Sequence, residues 1–261
     1  MPGSPLAGKV VLVTRARSQA GELAAVLEER GASPLVAPAI RILAGPGRAL
    51  ERAGRELAAG SYAWVVFTSR TGVESVFSHL GSDHPGIGAS VGAVGEGTAA
   101  ALRQRGVEPD LIPSTFTTEA LARAMPRGSG KVLLARADIA SEDLEAALTG
   151  KGWSPVRVDA YRTVPAGRLP AAASRALRGG KVDAVTFTSA STVDGFVQVA
   201  GAALGAGRRK PKVACIGPVT AARAREAGLR VDAVADPHTI DGLVAALERL
   251  FASGRSAGLE R

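Results

Sequence analysis

Three short blocks of this sequence occur twice, in the same order and at a nearly constant separation of about 120 residues. The matching pairs are residues 11–15 with 132–136, 65–69 with 185–189, and 93–100 with 215–222. One such match between apolar strands arises easily by chance, whereas three in register do not. In a chain of 261 residues, the repeat predicts a tandem duplication that forms two lobes of ordinary domain size.

Each half alternates short apolar runs with helical patterns. Residues 63–68 are apolar without alternation, which is typical of a strand covered on both faces. Ser69 follows this run and can cap a helix in which Val73, Val76 and Phe77 share one face. The alternation predicts an α/β fold with two doubly wound parallel-sheet lobes.

Composition excludes several classes of protein. The single cysteine, Cys215, allows no intrachain disulfide, and His79, His84 and His238 lack the spacing of zinc ligands, so we expect no metal site. No apolar run reaches the length of a membrane-spanning helix, and residues 1–5 do not resemble a signal peptide. We therefore expect a cytoplasmic protein that does not contact a membrane.

The charge pattern favours an acidic partner other than a nucleic acid. The formal net charge is +8, and residues 44–157 contain twelve basic and twelve acidic side chains, so the excess lies outside that segment. Part of the excess is a basic cluster at residues 208–212, which we interpret as a solvated loop before a strand at Val213. No aromatic residue is interleaved there for base stacking, so nucleic-acid binding is not predicted.

Hydroxyl side chains lie where the predicted strands end. Ligands of open parallel sheets bind beyond the carboxyl ends of strands, where helix N-termini offer N–H groups to anions. The hydroxyl residues at these places are Ser69, Thr98, Ser189, Ser191 and Thr220. Each one alone is explained as a helix cap, but two such turns in each half predict a site for an anion.

Residues 95–100 also match the Gly-x-Gly-x-x-Ala motif of dinucleotide-binding proteins. That motif requires an acidic residue near the end of the next strand, and residues 114–117 contain none. A nicotinamide cofactor is therefore not predicted. Tyr161, in the polar extended run 158–163, is a more informative residue, because it is placed to reach a cleft between the lobes.

Taken together, these residues resemble the uroporphyrinogen-III synthase family from residue 10 to residue 250. The resemblance rests on the Val-Thr-Arg strand that ends at Arg15, residues 67–69, Gly95 with Thr98, residues 161–163, residues 187–189, and residues 216–218 with Thr220. It implies a discontinuous plan in which residues 1–36 and 166–255 form one lobe and residues 44–158 the other. Residues 37–43 and 159–165 would form a two-stranded β connector on which the lobes hinge, followed at the end of the chain by a mobile tail at 256–261.

The resemblance also implies a reaction. The family removes water from linear hydroxymethylbilane and closes it with the terminal pyrrole ring inverted, a carbon–oxygen lyase step in tetrapyrrole (haem, sirohaem and cobalamin) biosynthesis. It uses no metal and no organic cofactor. The substrate carries eight carboxylates, and the resemblance implies that these are bound by Arg15 together with the five hydroxyl residues. A phenol remains protonated at neutral pH, so Tyr161 is the candidate general acid.

Two features and one alternative accompany this interpretation. Val219 stands where the resemblance predicts a second hydroxyl beside Thr220, and residues 208–212 are expected to be a local insertion.

We expect a monomer whose ligand is hydroxymethylbilane and whose contact with the preceding enzyme of the pathway is transient. The alternative is a non-catalytic two-lobed binding or sensor protein for an acidic small molecule, whose lobes and anion-binding turns would look the same.

Overall fold

The computed structural model describes residues 4–80, 87–206 and 210–256. Its contacts divide the chain into two compact units. The terminal unit comprises Met1–Arg41 and Val164–Arg261, and the central unit comprises Ile42–Thr163. His84, the first two arginines of the basic cluster, and residues 257–261 of the expected tail lie outside the described residues.

The elements alternate along the chain as strand and helix. In chain order the strands are Val10–Val13 (β1), Ser33–Val36 (β2), Ile40–Ala44 (β3), Trp64–Phe67 (β4), Ser90–Ala93 (β5), Lys131–Ala137 (β6), Ser154–Pro165 (β7), Ala184–Phe187 (β8), Lys212–Cys215 (β9) and Ala233–Val234 (β10). The helices are Ala20–Glu29 (α1), Gly47–Ala58 (α2), Arg70–Leu80 (α3), Glu96–Arg103 (α4), Thr118–Ala124 (α5), Asp143–Thr149 (α6), Ala171–Arg178 (α7), Ala190–Ala206 (α8), Pro218–Glu226 (α9) and Ile240–Ser256 (α10). Within the described ranges, no helix combines the length and the hydropathy needed to cross a membrane.

Each unit contains a five-stranded sheet. The strand order in the terminal unit is β10–β9–β8–β1–β2, and all four neighbouring pairs are parallel. The order in the central unit is β3–β7–β6–β4–β5, in which β7–β6, β6–β4 and β4–β5 are parallel. Leu111 adds an isolated parallel bridge to Gly92 of β5. The predicted α/β fold with parallel sheets is therefore confirmed.

Strands from the repeated sequence blocks hold corresponding places in the two sheets. The order β9–β8–β1–β2 matches the order β5–β4–β6–β7. An aspartate side chain accepts a backbone N–H of the corresponding strand in both units: Asp232 Oδ2 lies 2.9 Å from Val213 N, and Asp110 Oδ2 lies 2.7 Å from Val91 N. The two units thus share a strand order and a specific contact between a side chain and the backbone.

The inner strands are buried on both faces of their sheets. In β4, Val65 and Phe67 pack in one core cluster and Val66 packs in another, as the alternation of side chains along a strand requires. Leu50 of α2 belongs to the first cluster and Leu121 of α5 to the second, so helices cover both faces. Because an unpaired polar group in such a strand would be costly, the fully buried Thr186 of β8 donates its hydroxyl to the Leu12 carbonyl oxygen at 3.0 Å.

Three details differ from the sequence-based expectations. Helix α4 begins at Glu96, so Thr98, which alone would be explained as a helix cap, lies within its first turn, and the extended backbone of Gly95 forms the N-cap. Lys212 belongs to β9 rather than to a loop, and its Nζ lies 3.1 Å from Asp232 Oδ1. Helix α10 continues through Ser256, which the sequence assigned to the tail.

We predict that Asp110→Ala lowers the free energy of unfolding by about 1 kcal/mol, because the Val91 amide loses its acceptor. Asp110→Asn keeps a side-chain oxygen and should retain most of that stability. Both tryptophans of the chain, Trp64 and Trp153, belong to the central unit, so their fluorescence during urea denaturation reports its unfolding. Identical midpoints for Asp110→Ala and the parent would contradict the assignment.

Candidate active site

Ser69 and Ser189 occupy equivalent positions directly before α3 and α8. Ser69 Oγ accepts the Gly72 N–H at 3.1 Å, and Ser189 Oγ accepts the Thr192 N–H at 3.2 Å. Ser189 Oγ also lies 2.9 Å from Ser191 Oγ. The predicted capping role is thus present at both serines. A cap uses only an acceptor lone pair, so each hydroxyl retains a proton that it can donate.

Tyr161 and Ser69 are neighbours in the central unit. Tyr161, in β7, is partly buried against the core cluster that contains Phe67, and the Ser69 side chain is close enough to its phenol to lower the pKa of Tyr161. Gly72 allows the first turn of α3 to approach β6 closely, because a Cβ there would lie 2.8 Å from the carbonyl oxygen of Ala135. The candidate acid and one candidate binding residue are therefore held at the same end of the central sheet.

The surroundings of Tyr161 keep its phenol protonated. Burial raises the pKa of Tyr161 above its ordinary value near 10, and the negative charge of Asp138 raises it further. The hydrogen bond with Ser69 and the positive charge of Arg136 lower the pKa, but the net shift is upward. At neutral pH the phenol is therefore available as a proton donor.

Arg15 and Arg136 occupy equivalent places in the two units, at or just beyond the ends of β1 and β6. Arg15 Nη1 lies 3.8 Å from Glu22 Oε2, and 17% of the Arg15 side chain is exposed. Arg136 is more deeply buried, at 4%, and its Nη1 lies 2.6 Å from Glu145 Oε2. Sequence reasoning selected Arg15 and missed Arg136, although the repeat aligns the two and so provides the signal that identifies it.

Thr98 and Thr220 lie in the first turns of α4 and α9. Both are buried, and their hydroxyls form no hydrogen bond with other residues that the structure describes. Gly95 and Gly217 precede the two helices in the same extended conformation and provide no side-chain cap. The first turns of both helices therefore keep N–H groups for which an anion is a suitable partner.

Exposed apolar side chains accompany these polar groups. The described residues include four exposed large hydrophobic side chains, at Leu43, Phe116, Ile139 and Val219. Ile139 follows β6, Val219 is in the first turn of α9, and the Phe116 ring contacts Gly95, where a Cβ would lie 2.9 Å from the ring. Phe116 thus places an exposed apolar ring at the start of α4, the helix that carries Thr98, which suits a ligand with both apolar rings and charged substituents.

The family model described as uroporphyrinogen-III synthase HemD matches residues 21–245, which is most of the chain. The chain belongs to the uroporphyrinogen-III synthase family. It is similar to the uroporphyrinogen-III synthase of Synechococcus elongatus, with 31% identity over 95% of this chain and 98% of the relative. The family predicted from the sequence is therefore confirmed.

Two solved structures have the same fold. A crystal structure of a mutant uroporphyrinogen III synthase from Thermus thermophilus aligns with 94% of this chain and 100% of that one, with a TM-score of 0.66 and 23% identity. The uroporphyrinogen-III synthetase of Helicobacter pylori aligns with 93% of this chain and 99% of that one, with a TM-score of 0.60 and 17% identity. At these identities the comparison concerns the fold alone, and it agrees with the two parallel sheets described above.

We predict that Tyr161 titrates above pH 10 in the folded protein. The chain contains only two tyrosines, so Tyr62→Phe leaves Tyr161 as the single phenol whose ionisation changes the ultraviolet absorbance. Because folding raises the pKa of Tyr161, its contribution to stability is present below pH 10 and is lost as the pH rises through the raised value. The same variant unfolded in urea should titrate near pH 10. A folded titration at or below that value would contradict the burial argument.

Proposed function

We propose that this chain is a uroporphyrinogen-III synthase that converts hydroxymethylbilane into uroporphyrinogen III with loss of water. The observation that carries the proposal is the partly buried phenol of Tyr161 beside the Ser69 hydroxyl, at the carboxyl end of a parallel sheet. Family membership supplies the substrate, and the phenol supplies the proton donor that the reaction needs. The alternative, a non-catalytic sensor, needs no protonated phenol at this place and is not favoured.

The proposed first step breaks the bond between the terminal methylene carbon and its hydroxyl oxygen. The Tyr161 phenol transfers its proton to the departing hydroxide, which leaves as water, and a cationic azafulvene remains on the bilane. Ser69 and the charge of Arg136 stabilise the phenolate that forms, since both lower the pKa of Tyr161. The carbon of the terminal pyrrole that carries its existing methylene bridge then attacks the azafulvene and forms a carbon–carbon bond. The bond from that carbon to its old bridge breaks, which creates a new azafulvene on the neighbouring ring, and the free α carbon of the inverted pyrrole forms a second carbon–carbon bond to it. The proton released from that α carbon returns Tyr161 to its neutral state.

The proposed substrate is held by neutral donors rather than by a lining of cations. We infer that Ser69, Thr98, Ser189, Ser191 and Thr220 donate hydrogen bonds to the acetate and propionate groups. Arg15 adds a positive charge in the terminal unit, although Glu22 partly neutralises it. Exposed side chains such as Phe116 and Ile139 would contact the apolar faces of the pyrrole rings. Orientation of the flexible bilane then decides which ring closure occurs.

The wider proposal follows the family resemblance. The enzyme would be a carbon–oxygen lyase of haem, sirohaem and cobalamin biosynthesis, active as a cytoplasmic monomer without a cofactor. Transient contact with the preceding enzyme would limit spontaneous closure of the bilane. The corresponding strand orders of the two sheets, and the matched Asp110 and Asp232 contacts, support an origin by tandem duplication with the discontinuous lobes and connector expected from the sequence.

We predict that purified protein converts hydroxymethylbilane mainly to the type III isomer, identified as uroporphyrin after oxidation. Tyr161→Phe should lower kcat more than about tenfold and change KM only a few-fold, because the ring is kept and the proton is lost. Parent protein that leaves only the type I product of spontaneous closure would remove the enzyme proposal. Equal rates for Tyr161→Phe and the parent would exclude Tyr161 as the general acid but would leave the proposed activity of the protein in place.

We predict that the double variant Thr98→Ala with Thr220→Ala raises KM by about tenfold or more, because each hydroxyl donates to a substrate carboxylate. The matched control is Thr98→Ser with Thr220→Ser, which keeps both hydroxyls and should bind nearly as the parent does. Unfolding midpoints of both variants separate weak binding from poor folding. An unchanged KM in the alanine variant would assign the two threonines to helix structure alone.

A further inference from the structure

The loop after β6 holds the backbone on both sides of Tyr161. The Asp138 N–H donates to the Tyr161 carbonyl oxygen at 3.1 Å. The Asp138 Oδ1 accepts the N–H of Thr163, also at 3.1 Å. One residue thus uses its backbone and its side chain to contact β7 at Tyr161 and two residues beyond it.

These contacts lie directly beyond an irregularity in the strand pairing. Ala135 pairs with Val158 and Arg136 with Asp159, but Ala137 pairs with Tyr161, so the register shifts by one residue at Ala160. A shift of one residue changes the face to which a side chain points, and bulges of this kind redirect side chains near active sites.

The shift explains the orientation of Tyr161. In a regular strand, Ala160 and Tyr161 would point to opposite faces of the sheet. Here Val158 and Ala160 belong to the core cluster of one face, and Tyr161 packs against that same cluster. Ser69 follows β4, whose Phe67 is in the cluster too, so the redirected phenol meets the Ser69 hydroxyl.

The Arg157 side chain anchors the loop that carries Asp138. Arg157 Nη2 donates to the Ala137 and Asp138 carbonyl oxygens at 3.0 and 2.9 Å, and its Nη1 donates to the Ala140 carbonyl oxygen at 2.9 Å. The loop after β6 is therefore hydrogen-bonded to β7 at Arg157, at Tyr161 and at Thr163, on both sides of the register shift. The Asp138 side chain is 26% exposed, and Arg162 Nε lies 3.8 Å from its Oδ2.

We propose that Asp138 is a positioning residue, which holds β7 in the shifted register and so keeps the Tyr161 phenol against Ser69. The expected effect on kcat rests on the proposed role of Tyr161 as the acid. The effect of Asp138 on the position of the Tyr161 ring can be measured even if Tyr161 is not the acid. Three groups act on the phenol besides its burial: Asp138 from the loop, Arg136 from β6 and Ser69 from the turn before α3.

The test compares Asp138→Ala with Asp138→Asn and with the matched control Asp110→Ala. Asp138→Ala should lower kcat for hydroxymethylbilane about tenfold with KM within about threefold, because Thr163 loses its acceptor and the phenol loses its fixed position. Asp138→Asn keeps a side-chain oxygen for the Thr163 N–H and should recover kcat to within about threefold of the parent. Asp110→Ala removes a similar contact at the amino end of β5 and should affect stability but not kcat.

A second measurement uses the ultraviolet titration of Tyr161 in the Tyr62→Phe background and needs no activity. Asp138→Ala and Asp138→Asn both remove the negative charge, but only Asp138→Ala also releases the Tyr161 ring, so the pKa of Tyr161 should differ between these two variants, whereas Asp110→Ala should leave the parent value unchanged. Identical titrations of Tyr161 in Asp138→Ala and Asp138→Asn would overturn the inference even if the parent proved inactive. With an active parent, equal kcat for Asp138→Ala and Asp110→Ala, or an Asp138→Asn as slow as Asp138→Ala, would overturn it as well.

Discussion

Burial of the inner strands on both faces is the constraint on which the rest of this structure depends. Val65, Val66 and Phe67 are fully covered, and their counterparts in the terminal sheet are covered in the same way. Strands of this kind have no space for an unpaired polar side chain. Hydroxyls, helix N-termini and charged groups therefore gather where the strands end, and in a parallel sheet the carboxyl ends meet at one edge. The location of the candidate site follows from the packing before any chemistry is considered.

The sequence predicted most of this arrangement because its strongest signals are local or repeated. The apolar run at 63–68 identified β4, and the repeat aligned it with β8 without any knowledge of the sheet. Ser69 and Ser189 were recognised as caps because a cap depends only on residues within one helical turn. Thr98 does not cap α4 in the same way, since the cap there is the extended backbone of Gly95 rather than a side chain.

Asp138 could not have been found in the same way. Its relation to Tyr161 spans 23 positions in the sequence and depends on a one-residue shift in strand register, which no local pattern encodes. Arg136 is an intermediate case, because the repeat pairs it with Arg15 but does not predict that it is the more buried of the two. Periodicity reports which face of an element is covered, whereas register is decided by contacts between distant segments.

Capping and chemistry do not exclude each other at Ser69. Its oxygen accepts the Gly72 N–H through a lone pair, which fixes the hydroxyl at the start of α3 and leaves the proton free to turn toward Tyr161. A residue that only capped the helix could be replaced by aspartate, which also accepts that bond. Aspartate, however, would place a negative charge beside the phenolate that the proposed proton transfer leaves on Tyr161. A neutral group that accepts from the helix and donates to the phenol meets both demands, which gives serine a physical reason to stand at this turn.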